Sequence, residues 1–278
     1  MVDIINPQLG EKILDPACGT GGFLTCAIGH LDRQIKTAED KETLHKTIHG
    51  VEKKPLPHML ALTNMMLHGI DVPTNIRHDN TLSRPLKDYS PKERVDIVIT
   101  NPPFGGMEED GIETNFPKKY QTRETADLFM ALIMYLLKHN TGRAAVVLPD
   151  GFLFGEGVKT NIKRELLNEF NLHTIVRLPK GVFSPYTGIN TNILFLTKGD
   201  KTKDVWFFEH PYPEGYKSYS RSKPLTIKEF DFEKKWWNKR KTTEHAWKVP
   251  VKEIEARNYN LDFKNPMSST LTTATLMN

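Results

Sequence analysis

The chain has 278 residues, of which 38% are hydrophobic and 26% charged, a globular balance with room for one large α/β domain and an appendage. Its net charge of +4 permits contact with nucleic acid without requiring it. We find neither a run of about 18 apolar residues that would predict a transmembrane helix nor a secretory signal pattern. The two cysteines, Cys18 and Cys26, are too few for a disulfide framework or an ordinary zinc site, which favours a cytoplasmic protein.

Short apolar strands alternate with amphipathic helices through the first hundred residues. Flanking prolines, glycines and polar turns mark where each element ends. In chain order the pattern predicts a strand at 12–16, a helix at 22–35, a strand that ends at Glu52, a helix at 57–68, a weak strand at 75–82 and a strand at 95–100.

The same alternation continues after a polar, glycine-bearing segment at 105–125, which is typical of a mobile loop. Asp127 opens a strongly apolar helix that we expect Gly142 to cap. The later predicted elements are a strand at 143–149, a helix at 158–170, strands at 172–179 and 191–199 joined by the loop 180–190, and a strand at 205–210.

This alternation predicts an α/β fold with a doubly wound, mostly parallel, seven-stranded sheet. The pattern weakens after residue 199. We therefore expect a domain at 1–199, a short irregular C-terminal extension at 200–266 packed on it, and a low-complexity, disordered tail at 267–278.

A glycine cluster follows the first predicted strand. Glycines there let the backbone approach a ligand closely, and the start of the next helix offers free N–H groups. The spacing matches neither the dinucleotide-binding fingerprint nor a phosphate loop. The candidate binding residues are Asp15, Pro16, Ala17, Cys18, Gly19, Thr20, Gly21 and Gly22.

Three acids end three successive strands. Asp15 could accept from an amino group, Glu52 from both hydroxyls of a ribose, and Asp79 from an adenine amino group. A ligand that carries all three groups fits this set, and S-adenosylmethionine does. The alternative is that Glu52 and Asp79 are surface charges.

The stretch VDIVITNPPF ends a β-branched strand with an amide, two prolines and an aromatic ring. The prolines stop the strand because they cannot donate to a ladder. Asn101 and Phe104 then lie at the carboxyl end of a strand, where open α/β sheets bind ligands. An ordinary strand-to-loop exit is the alternative.

Together, DPACGTGGFL and the later NPPF resemble the DNA methyltransferases that modify the exocyclic N6 of adenine, in the gamma order of motifs. The chain is more similar still to the methylation (M) subunit of type I restriction-modification systems. The stretches GVEKKP, LPKGVFSPYTGINTNILFLTKG and IEARNYNLDFKNP support this resemblance, which covers about residues 1–266. NPPF alone is shared with protein-glutamine and RNA-guanine methyltransferases.

The resemblance implies a Rossmann-like, S-adenosylmethionine-dependent methyltransferase that needs no metal. The side-chain carbonyl of Asn101 and the backbone carbonyl of Pro102, held in direction by Pro103, would accept from the adenine amino group. Phe104 would stack on the flipped base. Phe183 is the candidate for the opposite side of that base and Tyr186 the reserve, although Phe183 could equally be a core residue.

The implied partners are double-stranded DNA, a specificity (S) subunit and a restriction (R) subunit. The family has a longer N-terminal part with a helical domain, whereas this chain starts almost at its first strand. We therefore also consider a binding or assembly module without activity of its own. The basic segment 217–241, with Trp236 and Trp237, could be a solvated face with packed tryptophans, a phosphate-backbone or RNA contact, or a subunit contact.

Overall fold

The structure is a computed structural model that describes residues 1–267. The chain divides into two compact units, one of residues 1–147 with 196–200 and the other of residues 148–195 with those from 201 onward. The predicted boundary at residue 199 separates a domain from an extension, and that assignment stays a prediction. The predicted tail 267–278 lies outside the described residues except for Met267.

The first unit is built on parallel strands in the order β3-β2-β1-β4-β5. From β1 the chain goes to β2 on one side, while β4 pairs with the other side of β1. The order therefore reverses between β1 and β4, and ligands of open α/β sheets bind at such a point. The strands are β1 (Ile13–Asp15), β2 (Ile48–Glu52), β3 (Ile76–His78), β4 (Ile97–Thr100) and β5 (Arg143–Pro149).

Helices follow the strands as the pattern predicts, and the unit has two further helices, one before the first strand and the other before β2. A polar helix that we did not predict runs from Ala38 to Thr47, and it begins with a reciprocal capping box between Thr37 and Asp40. Only Leu44 and Thr47 of this helix are buried, so its mostly charged sequence shows no clear apolar face. The helices of this unit are α1 (Val2–Ile5), α2 (Gly22–Leu31), α3 (Ala38–Thr47), α4 (Pro55–Leu67) and α5 (Thr125–Leu136).

The prediction that α5 runs up to Gly142 is wrong. The helix ends at Leu136 because the next residue turns extended and the backbone pairs with Val95. Val95 donates to the carbonyl of Leu136, and Lys138 donates to the carbonyl of Val95. Nearly every residue of α5 is buried, so the helix lies in the core of its unit.

The segment 105–125 is anchored at several points. It contains two short 3-10 turns, Ile112–Asn115 and Lys118–Tyr120, and it buries Phe116 and Tyr120. Lys53 forms an ion pair with Glu108 at 3.2 Å, which ties the segment to the residues that follow β2. Its polar sequence concealed these two aromatic anchors.

The second unit contains strands in the order β7-β6-β8-β9, so the described residues hold nine strands and the predicted seven is wrong. Strand β9 runs antiparallel to β8 and was hidden in the predicted irregular extension. Residues 1–267 include no helix that is long and apolar enough to cross a membrane. The elements are α6 (Asp150–Phe154), α7 (Val158–Glu169), β6 (Phe170–Arg177), β7 (Thr191–Lys198), β8 (Asp204–Glu209), α8 (Asp231–Trp237), β9 (Ala246–Pro250) and α9 (Val251–Ala256).

The two tryptophans of the basic segment 217–241 pack into the second unit. Trp236 is buried, and its Nε1 donates to the carbonyl of Lys241 at 2.8 Å. Trp237 meets the ring of Phe195 edge-on at 4.7 Å, and the guanidinium of Arg240 lies 4.3 Å above its ring centroid. These rings are therefore not free to stack on nucleic-acid bases in this conformation.

Gly50 of β2 offers a test of how tightly the strand packs behind the glycine cluster. A Cβ there would lie 2.8 Å from Leu24 Cδ1 and 3.1 Å from Cys18 Sγ. We expect Gly50→Ala to lower the free energy of unfolding by about 1–3 kcal/mol through overpacking. The matched control is Gly29→Ala in α2, where the added Cβ meets nothing within 4 Å. Urea denaturation should show Gly29→Ala as stable as the parent or more so, and equal stability of both variants would contradict the packing.

Candidate active site

Asp15 ends β1 and is held from two directions. Its side chain is 1% exposed, and its Oδ1 accepts from Thr100 Oγ1 at 2.7 Å and from the backbone N–H of Ala17 at 3.1 Å. The parallel pairing of β1 with β4 brings these residues together, since Leu14 lies opposite Val98. The carboxyl group therefore has a fixed direction at the point where the strand order reverses.

Burial raises the pKa of Asp15 to about 7 from its ordinary 3.8, and the nearby charge of Glu52 adds to the rise. The hydrogen bonds from Thr100 and Ala17 favour the charged form and oppose that rise. A cationic group placed beside this carboxyl would favour the carboxylate, so binding of such a group would release a proton.

The predicted glycine loop connects β1 to the start of α2. Gly19 and Gly21 have φ of +55° and +84°, the left-handed region that favours glycine. No side chain of residues 1–267 caps the start of α2, so its first N–H groups are available to an anion or a dipole. A Cβ on Gly19 or Gly22 would meet no atom within 4 Å, which leaves open space beside the loop.

The remaining loop residues hold this shape. Thr81 Oγ1 donates to the carbonyl of Pro16 at 2.6 Å, and Asn64 Nδ2 donates to the carbonyl of Thr20 at 2.8 Å. Cys18 donates from its backbone to Val51 of β2 at 3.0 Å. Burial raises the pKa of the Cys18 thiol, so this side chain is a neutral packing group and not a nucleophile.

Glu52 ends β2, half-buried, and reaches back to the glycine loop. Its Oε2 accepts from the N–H of Gly19 at 2.9 Å, and its Oε1 accepts from the N–H of Lys54 at 2.7 Å. Both bonds fix the plane of the carboxylate while each oxygen keeps a lone pair. A carboxylate held in this way can accept from two neighbouring hydroxyl groups.

Asp79 follows β3, and its backbone N–H donates to the carbonyl of Glu52 at 3.1 Å. Its side chain is exposed and lies 3.8 Å from the guanidinium of Arg77. The structure thus brings the three predicted acids to the ends of three adjacent strands, from a buried Asp15 to an exposed Asp79.

Asn101 directly follows β4, and its Oδ1 is buried without a hydrogen-bond partner among the described residues. A buried amide oxygen of this kind normally has a donor, since leaving it unpaired costs about 1–3 kcal/mol. Pro102 is buried, Pro103 is exposed and Phe104 is half-buried. The exit from β4 therefore holds an acceptor ready for a donor that the described residues do not supply.

Phe183 belongs to the second unit and is half-buried in the turn that follows β6. Its carbonyl accepts from the N–H of Tyr186 at 2.8 Å, and the Tyr186 side chain is 92% exposed. The role of Phe183 beside a base stays a prediction. Residues 1–267 contain no group of three or more metal-ligating His, Cys, Asp or Glu side chains.

Sequence reasoning missed two side chains that orient the site, Thr100 and Thr81. Both are buried hydroxyls, one bonded to Asp15 and the other to the carbonyl of Pro16. A threonine directly before Asn101 on a buried strand was the available signal. Its partner could be named only once the pairing of β1 with β4 was known.

Comparison with known proteins adds the family. Residues 1–274 match the profile of the family described as N-6 DNA Methylase. The chain belongs to the N-6 DNA methylase family. It is 62% identical over 274 residues to the EcoEI type I restriction enzyme methylase subunit of Escherichia coli, an alignment that covers 96% of this chain and 55% of that protein. The EcoKI methylase subunit of the same species is 37% identical over 75% of this chain and 42% of its own length.

Solved structures give the same result for the fold of this N-6 DNA methylase chain. A modification subunit assigned to a type I restriction enzyme of Vibrio vulnificus superimposes with a TM-score of 0.93 at 49% identity, covering 98% of this chain and 59% of that one. The EcoKI M protein superimposes with a TM-score of 0.77 at 28% identity, covering all of this chain and 68% of that one. The chain spans about half the length of the curated relatives it matches.

These findings confirm the predicted resemblance to type I methylation subunits and the predicted α/β class. The two stretches on which the prediction rested are those that the structure sets side by side, after β1 and after β4. In this member of the N-6 DNA methylase family, the individual roles of Asp15, Glu52, Asp79 and Asn101 stay predictions.

The pKa of Asp15 predicts a dependence of stability on pH. A carboxyl group with a raised folded pKa contributes stability that is complete below 3.8 and is lost as pH rises through about 7. We expect the free energy of unfolding to fall by roughly 2–3 kcal/mol more in the parent than in Asp15→Asn between about pH 5 and about pH 8.

Urea denaturation at the two pH values measures this difference. Asp71→Asn, at an exposed aspartate after α4, is the matched control and should keep the pH dependence of the parent. Parallel curves for the parent and Asp15→Asn would show that Asp15 is ionised in the folded chain at both pH values.

Proposed function

We propose that this chain is the catalytic part of a type I modification subunit that transfers a methyl group from S-adenosylmethionine to the N6 amino group of adenine in double-stranded DNA. The observation that carries the proposal is the buried Oδ1 of Asn101 at the exit from β4, which has no hydrogen-bond partner within residues 1–267. An adenine amino group is the donor that such an acceptor fits, and family membership supports adenine as the target.

The chemistry required of Asn101 follows from the amine. Its lone pair is delocalised into the ring, so the nitrogen is a weak nucleophile. Acceptance of its two hydrogens by Asn101 Oδ1 and the carbonyl of Pro102 favours a pyramidal nitrogen and offsets the positive charge that develops there. Pro103 restricts the conformation of Pro102, and Phe104 offers a ring against which the flipped base can stack.

The residues at the ends of β1, β2 and β3 fit the cofactor. Asp15 would accept from its ammonium group, Glu52 from its ribose hydroxyls and Asp79 from its adenine amino group, while the glycine loop lets the backbone come close. Bound S-adenosylmethionine supplies a methyl group activated by attachment to a positively charged sulfur.

Assembly with specificity and restriction subunits completes the proposal. Relatives at 62% and 37% identity are named as methylase subunits of type I restriction enzymes, and one similar structure is described as part of complex assembly in such a system. These names favour DNA over protein glutamine or RNA guanine as the substrate. We place the chain in the cytoplasm, where its DNA substrate is found.

Asn101→Ala tests the acceptor. We expect transfer of labelled methyl groups to duplex DNA, measured with the specificity subunit present, to fall about 100-fold or more while cofactor affinity is unchanged. Asn168→Ala, at an exposed position of α7, is the matched control. Parental activity in Asn101→Ala would refute the role of Asn101. A parent that binds cofactor but transfers nothing would support the assembly-module alternative.

Asp15→Asn tests the cofactor end of the site, since it keeps the hydrogen-bonding shape of Asp15 and removes its charge. We expect calorimetric titration with S-adenosylmethionine to give an affinity at least about tenfold weaker than the parent, because a buried cation then lacks its counter-charge. Asp71→Asn should bind as the parent does. If Asp15→Asn bound S-adenosylmethionine with the affinity of the parent, the ammonium group of the cofactor would not bind at Asp15.

A further inference from the structure

A cavity of about 630 Å³ lies in the second unit, at the carboxyl ends of β6 and β8 and beside the start of β7. Its volume is in the range of small-molecule sites, roughly 300–1,000 Å³. The residues that line it have no role in the site described above. They combine buried acceptors that have no donor among the described residues with positively charged side chains, and the carboxyl groups of Asp150 and Glu209 line the same cavity.

Asn190 and Asn192 line the cavity, and the Oδ1 atom of each is buried without a hydrogen-bond partner among the described residues. Asn192 is the second residue of β7, and Asn190 directly precedes the strand. Asn192 is fully buried. A ligand with hydrogen-bond donors, such as an amino group, would satisfy these two neighbouring acceptors.

Asp150 fixes which way the Asn192 amide faces. Its Oδ1 accepts from Asn192 Nδ2 at 2.7 Å, and its backbone N–H donates to the carbonyl of Asn190 at 3.0 Å. Because the Nδ2 side is engaged, the Asn192 amide cannot turn to present a donor without breaking that bond. Asn192 therefore offers an acceptor to the cavity, and a ligand carbonyl group placed against it would meet repulsion.

The cavity is also lined by two exposed lysines, Lys180 and Lys217. Among the described residues neither ammonium group has an ion pair or hydrogen bond. Lys180 is bonded through its backbone alone: its N–H donates to Tyr212 Oη at 2.7 Å, and its carbonyl accepts from the N–H of Tyr219 at 3.2 Å. Arg177 differs, because its guanidinium is neutralised by Asp262 at 2.7 Å. Two free ammonium groups form a binding point for a phosphate.

Rings complete the lining. His210 is buried, its Nδ1 is bonded to Glu233, and its Nε2 has no partner among the described residues. Tyr212 and His245 also line the cavity. Flat side chains of this kind suit a planar, aromatic ligand.

We propose that this cavity receives a nucleotide of the DNA strand other than the acceptor adenine, with the exocyclic amino group of its base on Asn190 and Asn192 and its phosphate on Lys180 and Lys217. DNA as the source of that nucleotide rests on the proposed function. Nucleotide binding by the cavity is measurable without methyl transfer, so the two can fail separately.

The probes are three compounds that differ by one group each. Deoxyadenosine monophosphate carries the amino group and the phosphate, the monophosphate of purine deoxyriboside has a hydrogen in place of the amino group, and deoxyadenosine lacks the phosphate. We expect calorimetry to show the first binding about tenfold or more tightly than the second, because the second brings no donor to the amide oxygens. Equal affinity of the first two compounds, or no binding of the first, would overturn the proposal.

Variants locate the site. Lys180→Gln and Lys217→Gln, both at exposed positions, should each weaken deoxyadenosine monophosphate about three- to fivefold and leave deoxyadenosine unchanged. Lys252→Gln, at an exposed position of α9, is the matched control and should bind as the parent does. Asn192→Ser should abolish the preference for the amino compound.

Two competing locations give distinct results. Displacement of the nucleotide by S-adenosylmethionine would show that the nucleotide binds in the cofactor site. Loss of nucleotide binding in Asn101→Ala would show that the nucleotide binds at the site for the acceptor adenine. Either result overturns the proposal. Retention of both kinds of binding, with the lysine effects above, supports the cavity even if methyl transfer is never observed.

Discussion

The candidate site depends on the parallel pairing of β1 with β4. That pairing sets Leu14 opposite Val98 and lets the Thr100 hydroxyl reach Asp15 at 2.7 Å. One hydrogen bond thus links the strand that precedes the glycine loop to the strand that precedes Asn101. Because both strands are almost fully buried, neither can shift its register without exposing an apolar face, and the two motifs keep their relative position.

A second feature recurs in both units: buried amide oxygens to which no described residue donates. Asn101 shows it after β4, and Asn190 and Asn192 show it around the start of β7. Folding leaves few such atoms because each one forfeits its bond to water without replacement. Where the end of a strand holds a buried acceptor without a donor, a ligand donor can supply the missing hydrogen bond, and the protein needs to reorganise little.

The repeating order of strands and helices was predictable from apolar spacing. The positions of the glycine loop and of the NPPF stretch were also predictable, since glycines and prolines after buried strands are strong local signals. Helix α3 was not, because its charged sequence buries only Leu44 and Thr47, and the end of α5 was not, because Leu137 leaves the helix to pair near Val95. Strand β9 escaped for a related reason: its pairing with β8 is a contact between segments about forty residues apart, which no local pattern reports. The partners of Thr100 and Thr81 likewise required the sheet order.

The three acids at the ends of β1, β2 and β3 differ most in burial, and burial determines how strongly each one responds to a nearby charge. Asp15 is enclosed, so its ionisation is costly and a neighbouring cation changes its state; Asp79 is exposed, so water screens whatever it contacts. Under the proposed function, a positively charged ligand group would gain most of its binding free energy beside Asp15, while Glu52 and Asp79 would direct the ligand through hydrogen bonds. A ligand that presents a cation to the end of β1 and neutral donors to the ends of β2 and β3 matches this decrease in burial from Asp15 to Asp79. A ligand that presented its cation to β3 instead would leave the buried carboxyl group of Asp15 without a counter-charge.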